Sequence, residues 1–325
     1  MTIGDRTGTS GTAIAVDLGA TNLRVGLVTR AGTIERLQTA EIPHDLPDEG
    51  IITGLIIRTI QTLVPDREIG ALAGIGIGAA GPVNRSHTAI VHPPNIALDI
   101  IPLSGPLGDE FGLPVRLVND CCAGLLGEAY FGEGARSRNF VYVTISTGIG
   151  AGIIANGNIV SGRDGNAGEI GHLFVDSGYN LTCGCGGKGH WEGYASGRFL
   201  PRFYREWQKK RGIVPGDREI LTAGEVFSAM LENPGSGEDD FACELGRINA
   251  RGISDIIVAY NPDTIVFDGS VVLKNRDLII PPIERYADRY LPMPRLVVSG
   301  LAGRAPLLGA SVIAHGYDTR FGSVE

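Results

Sequence analysis

A chain of 325 residues, 43% hydrophobic and 20% charged, is globular in composition and long enough for two ordinary domains. Its net charge of −8 argues against a broad nucleic-acid or anionic-membrane surface, though not against a nucleotide held by a few local groups. No apolar run reaches the roughly 18 residues of a membrane span, and the polar start Met1 to Gly11 lacks the features of a signal peptide, so the expected location is the cytoplasm. Five cysteines, an odd number, fit reduced thiols or a metal site better than a disulfide framework.

In chain order, Thr12 to Val16 predicts a strand, Asp17-Leu-Gly-Ala-Thr-Asn22 a polar turn, and Leu23 to Val28 a second strand. Ile51, Ile52, Leu55, Ile56, Ile60 and Leu63 recur at helical spacing, which predicts a helix over 48–63. Leu72 to Ile77 reads as a strand running into Gly78-Ala-Ala-Gly-Pro-Val-Asn84. Val115 to Val118 reads as another, ending in Asn119-Asp120 with a helix beginning at once. The pattern then restarts with strand Phe140 to Ile145, glycine turn Ser146 to Gly152 and strand Ile153 to Ile159. A long helix (Ala242 to Tyr260), a strand (Thr264 to Phe267), the turn Asp268-Gly-Ser270 and a helix after Pro306 complete the chain. The stretch from Lys209 to Asp240 reads as peripheral loops and small helices, with Lys209-Lys-Arg211 on a solvated face. Two halves that each open on strand, glycine turn, strand predict a duplicated α/β unit with a cleft between.

One motif misleads. Gly76-Ile-Gly78-Ala-Ala-Gly81 matches the dinucleotide fingerprint, but Pro82-Val-Asn follows where that fingerprint needs a helix to receive the pyrophosphate. No P-loop motif occurs either. The paired glycine turns are better candidates. Asp17, Gly19 and Thr21 in the first, and Thr147 and Gly148 in the second, offer a carboxylate, hydroxyls and open backbone N–H groups. Such groups can cradle phosphate oxygens and sit beside magnesium; the alternative is two ordinary hairpin turns.

His172, Cys183, Cys185 and His190 form the most specific constellation. Sulfur and imidazole suit tetrahedral zinc, the intervening glycines let a short loop wrap the ion, and four protein ligands make the site structural. Glu169 and Glu192 flank this loop, where they could accept hydrogen bonds from sugar hydroxyls. Asp120 stands at a strand–helix junction, where a helix cap is the competing reading. Cys121, Cys122 and Cys243 read as small buried residues.

Together these residues resemble the ROK family, which groups bacterial and archaeal glucokinases, N-acetylhexosamine kinases and related repressors. The likeness runs from Asp17 to Ala310 and is carried above all by Gly168-Glu-Ile-Gly-His172, the Cys-Gly-Cys-Gly run and Glu192. It implies an actin-like α/β fold of two ribonuclease-H-like domains around a nucleotide and sugar cleft. Residues 1–119 with about 306–325 would form the small domain, and 120–305 the large one. It implies Asp120 as catalytic base, and Asn119, Asp120, Glu169, His172, Glu192, Gly81 and Asn95 at the sugar. Asp17, Gly19, Thr21, Thr147, Gly148 and Gly269 are implied at ATP and its Mg2+, and His172, Cys183, Cys185 and His190 at Zn2+. The substrates would be ATP and a hexose, most simply glucose, with N-acetylmannosamine or N-acetylglucosamine as the alternative. The family is often dimeric, so a homodimer is the implied assembly. A repressor would need a DNA-binding domain ahead of the first strand, for which the sequence offers no room. Three departures stand out: His190 where the family has a third cysteine, Ser146 where glycine is usual, and Asp268 and Ser270 around Gly269 where glycines run together.

Overall fold

The computed structural model describes residues 11–43, 48–92, 98–213, 220–232 and 240–316. The chain opens with β1 (Thr12–Leu18), β2 (Asn22–Thr29) and β3 (Ile34–Glu41), then α1 (Gly50–Leu63), α2 (Asp66–Ile69), β4 (Ile75–Ala79), β5 (Ala89–Val91) and β6 (Ile100–Pro102). Next come α3 (Ser104–Phe111), β7 (Val115–Asn119), α4 (Asp120–Phe131), β8 (Phe140–Ile145), β9 (Ile149–Ala155) and β10 (Asn158–Ile159). The helices α5 (Glu192–Ala195), α6 (Leu200–Lys210), α7 (Ala223–Glu232) and α8 (Phe241–Tyr260) follow. The chain continues with β11 (Thr264–Asp268), α9 (Ser270–Lys274), α10 (Arg276–Tyr286), β12 (Arg295–Val298) and α11 (Ala305–Ala314). No described helix is long and apolar enough to cross a membrane.

The chain divides into two compact units, 1–136 with 157–167 and 304–325, and 137–156 with 168–303. In the first, the sheet order is β3-β2-β1-β4-β7. β1 pairs antiparallel with β2, and β4 adds parallel on its other side. Central parallel strands are covered on both faces, which is why β1 reads as an unbroken apolar run. Ile14, Val16 and Leu18 share one core with Ile52, Ile56 and Ile60 of α1, residues spaced one helical turn apart. The opposite face carries α4 and α11. All of α11 but Pro306 is buried, as its sequence, apolar except for Ser311, demands. It lies so close to α4 that a Cβ built on Gly309 would stand 1.7 Å from the Ala123 carbonyl oxygen. Only glycine permits that approach.

The second unit repeats the scheme with β9-β8-β11-β12. β8 and β9 are antiparallel, and β11 and β12 add parallel to β8. The repeat of an antiparallel strand pair extended by parallel strands, read from the sequence as a duplicated α/β unit, is therefore present.

Several boundaries differ from those expected. The first unit extends to Arg136 rather than stopping at Asn119, because Ala123 and Leu126 of α4 share a core with Val312 and Ile313 of α11. The second glycine turn is only Ser146–Gly148, since Gly150 and Gly152 lie in β9, opposite Thr144 and Tyr142. The strand expected over 153–159 is broken by a turn in which Asn156 and Gly157 both have positive φ, 53° and 81°. β4 starts at Ile75, after a turn through Ala71 and Leu72. β3, β5 and β6 were not foreseen; β3 is an edge strand with mostly exposed polar residues and carries no apolar alternation. Within 209–240, the described part holds the end of α6, with exposed Lys209 to Arg211, and α7. Cys121 is buried as expected, while Cys122 and Cys243 are only partly covered.

Candidate functional site

In the first unit, Asp17 lies within the buried run of β1, one residue from its end, and is itself only 4% exposed. The antiparallel register sets Arg24 of β2 opposite it, and the two form an ion pair. Sequence reasoning named Asp17 but missed Arg24, whose only signal was its place in the pairing register. The turn between them closes with the Gly19 N–H donating to the Asn22 carbonyl at 3.0 Å, leaving Thr21 exposed with its Oγ1 accepting from Asn22 Nδ2. Gly76 to Gly81 runs along β4 into a loop rather than a helix, so the dinucleotide reading fails as expected. Gly81 has a φ of 109°, and Val83 just beyond is held by a side chain. Asn166 Oδ1 accepts from the Val83 N–H at 3.0 Å and its Nδ2 donates to the Val83 carbonyl at 3.1 Å. That clamp was not foreseen either.

Asn119 and Asp120 sit where β7 becomes α4. Asn119 is the helix N-cap, its Oδ1 accepting from the Cys122 N–H at 2.7 Å. This satisfies an otherwise orphaned donor. The cap uses one lone pair of the amide oxygen and leaves the Nδ2 donors of Asn119, which the resemblance placed at the sugar, outside the cap. Asp120 then takes the first helical position, half-buried, where the helix dipole favours a carboxylate. Asn95 lies outside the described residues.

In the second unit, the Ser146–Gly148 turn is closed by the Ser146 N–H donating to the Gly148 carbonyl at 2.9 Å, with Thr147 exposed at the tip. Ser146 Oγ lies 3.3 Å from Ser270 Oγ, so two of the departures from the family pattern touch each other. Gly269 has φ 93°, and a Cβ there would meet the Ile145 carbonyl oxygen at 2.4 Å. Asp268, which the sequence left as an extra carboxylate beside the nucleotide, instead turns inward and is 1% exposed. Its oxygens accept from Tyr142 Oη at 3.0 Å and from the Gly269 N–H at 2.8 Å.

The metal candidates converge. One ligand atom each from His172, Cys183, Cys185 and His190 lie within 4.8 Å of one another. Cys183 Sγ stands 3.7 Å from His172 Nδ1, and Cys185 Sγ 3.2 Å from His190 Nδ1. A tetrahedral zinc with ordinary Zn–S and Zn–N lengths spaces sulfur and nitrogen by about 3.6 Å, so the donor set fits that ion in chemistry and spacing. Both histidines present Nδ1 to the cluster. His172 turns its Nε2 toward Glu169 Oε2 at 3.8 Å, so a carboxylate lies on the far side of the ring. Burial raises the Glu169 carboxyl above its ordinary range; the His172 ring opposes this and the Glu192 charge adds to it.

The loop that carries these ligands has a scaffold the sequence did not reveal. Asp176 is buried and accepts from the Tyr179 N–H at 2.7 Å and Tyr194 Oη at 3.0 Å, with Arg251 at 3.3 Å. Burial alone would raise its carboxyl, but the Tyr179, Gly178 and Asn180 N–H groups and the Tyr194 hydroxyl hold it low. Trp191 is wholly buried, its indole N–H donating to Asn249 of α8 at 2.8 Å. Glu192 follows directly, with Oε2 accepting from the Ile149 N–H at 3.0 Å and Oε1 3.8 Å from Cys183 Sγ.

Residues 13–317 match the model of the ROK family. The chain belongs to the ROK family. It is 34% identical to a glucokinase of Aeropyrum pernix, over 93% of this chain and 96% of that one. A solved ROK family glucokinase from Streptomyces griseus, in complex with glucose and AMPPNP, superposes with a TM-score of 0.76 at 29% identity, covering 94% of this chain and 100% of that one. A putative N-acetylmannosamine kinase from Listeria monocytogenes gives the same TM-score at 25% identity, over 94% and 99% of the two chains. The fold is the actin-like fold of the ROK sugar kinases, as the sequence implied.

Proposed function

We propose that this ROK protein phosphorylates a hydroxyl of glucose with ATP. The observation that carries the reading is the nearly end-to-end match with a glucokinase, and the two glycine turns and the four-ligand cluster support it. Asp120 accepts the proton of the sugar hydroxyl as that oxygen attacks the γ-phosphorus, and ADP leaves from the opposite side. Glu169, His172, Glu192 and Gly81 bind the sugar, and the Asp17–Thr21 and Ser146–Gly148 turns with Gly269 hold the nucleotide. Magnesium, bound with ATP, supplies charge neutralisation at the phosphates.

Zinc at His172, Cys183, Cys185 and His190 fixes the loop that presents Glu169 and Glu192. Metal analysis of the purified protein should find about one zinc per chain. His190→Cys should keep it, because sulfur is an equally good ligand, whereas His190→Ala should lose metal together with sugar affinity. Fully active protein with almost no zinc would remove the metal from this account.

The second reading, a kinase for N-acetylated hexosamines, is favoured by the likeness to the Listeria monocytogenes protein. Glucose should show a higher specificity constant than N-acetylmannosamine or N-acetylglucosamine when each is assayed with ATP. An N-acetylated sugar ahead by tenfold, about 1.4 kcal/mol in transition-state binding, would transfer the site to that reading.

A further inference from the structure

The metal loop and the second phosphate turn are joined at three points, all within the second unit. Glu192 Oε2 accepts from the Ile149 N–H at 3.0 Å, just past the turn. The Gly197 N–H donates to the Ser146 carbonyl at 2.7 Å, and the Arg198 N–H to the Thr147 carbonyl at 3.4 Å. Only the first of these runs through a side chain. That carboxylate is pressed so closely on the turn that a Cβ built on Gly148 would lie 2.6 Å from Oε2. A side chain at position 148 would therefore have to displace the Glu192 carboxylate from its place against the turn. Glu192 is in turn placed by its neighbours, His190 in the metal cluster and Trp191 anchored on α8.

We infer that Glu192 is a positioning residue for the nucleotide: its carboxylate fixes the Ser146–Gly148 turn and so couples the metal loop to the phosphoryl donor. The inference rests on reading that turn as a phosphate site. It differs from a role at the sugar alone, since Oε2 is already engaged by the backbone beside the turn. A hydrogen bond from backbone to a charged group is among the stronger kinds, and its loss frees the turn to sample conformations that do not fit a phosphate.

The test is nucleotide binding with no sugar present. Calorimetric titration with AMPPNP and Mg2+ should show Glu192→Ala weakened by about tenfold, the equivalent of one charge-assisted hydrogen bond. Zinc content and thermal unfolding are measured on the same samples. Gly148→Ala leaves every metal ligand untouched but drives a methyl group into Oε2. It should keep its zinc and weaken the nucleotide to a similar degree. In the Glu192→Ala background the same Gly148→Ala change should then cost less than about twofold, since the obstructing oxygen is gone. A zinc-replete Glu192→Ala that binds AMPPNP as wild type does, with only sugar affinity reduced, overturns the inference. So does a Gly148→Ala protein of unaltered nucleotide affinity. Wild-type protein that binds no AMPPNP at all fails the kinase reading itself, a result plainly different from either.

Discussion

Asp120→Asn should lower turnover by roughly 10² to 10⁴ while leaving zinc content and thermal unfolding close to wild type. A sugar hydroxyl is a poor nucleophile, and its proton must leave as the new phosphorus–oxygen bond forms. Asparagine matches aspartate in shape but cannot accept that proton. The position supports the role: Asp120 is the first residue of α4, half-buried, with Asn119 capping the helix behind it. Asparagine is also tolerated in a first helical turn, where the charge–dipole contact it gives up is worth under about 1 kcal/mol. Steady-state kinetics with glucose and ATP give the answer. If Asp120→Asn turns over within a few-fold of wild type and Glu169→Gln or Glu192→Gln is dead instead, the base lies in the second unit.

Gly309→Ala should destabilise the first unit by about 3 kcal/mol or more, because overpacking against rigid backbone cannot be relieved by a change of rotamer. The new methyl would stand 1.7 Å from the Ala123 carbonyl oxygen and 2.9 Å from the Gly127 nitrogen. Both atoms belong to α4, so the helices must separate, and the surrounding Val312, Ile313 and Leu126 contacts loosen with them. Gly105→Ala is the control in the same unit. It sits on the exposed side of α3 with nothing within 4 Å of a new Cβ, and should be neutral or stabilising by up to about 1 kcal/mol. Denaturant unfolding of the two variants beside wild type decides the matter. Equal midpoints for Gly309→Ala and wild type would mean the helices are not packed this tightly.

Legibility in the sequence followed the range of the interaction. The metal quartet was readable because sulfur and imidazole ligands on one short, glycine-rich loop have few other uses, and the structure gathers the same four side chains. The strand–helix junction at Asp120 was readable because apolar residues stop and a helical run starts within two positions. What escaped was whatever depends on a distant partner. Nothing near Asn166 announces that it clamps Val83, and nothing near Arg251 announces Asp176. Asp268 drew attention for its charge, yet the group that absorbs it, Tyr142, lies on another strand 126 positions away. Asn119 has a local role that its place beside Asp120 did not announce: its side-chain oxygen caps α4, while its amide N–H groups are not used by that cap.

The seating of α11 against β1, β4 and α4 also sets an order for events on the ribosome. Synthesis normally lets an N-terminal domain close first, at about 5–20 residues per second. Here the strands and α4 of the first unit are complete by Phe131, yet the helix that covers one face of their sheet is not finished until Ala314. The part of that face over β1 and β4 that α11 covers therefore waits roughly 10 to 40 s for its partner helix. Residues 168–303 emerge meanwhile as a continuous stretch and can close around β8 and β9 ahead of it. The half of the molecule made first should thus be the half completed last, and a chain cut short before Ala305 should leave the part of that sheet face under α11 uncovered.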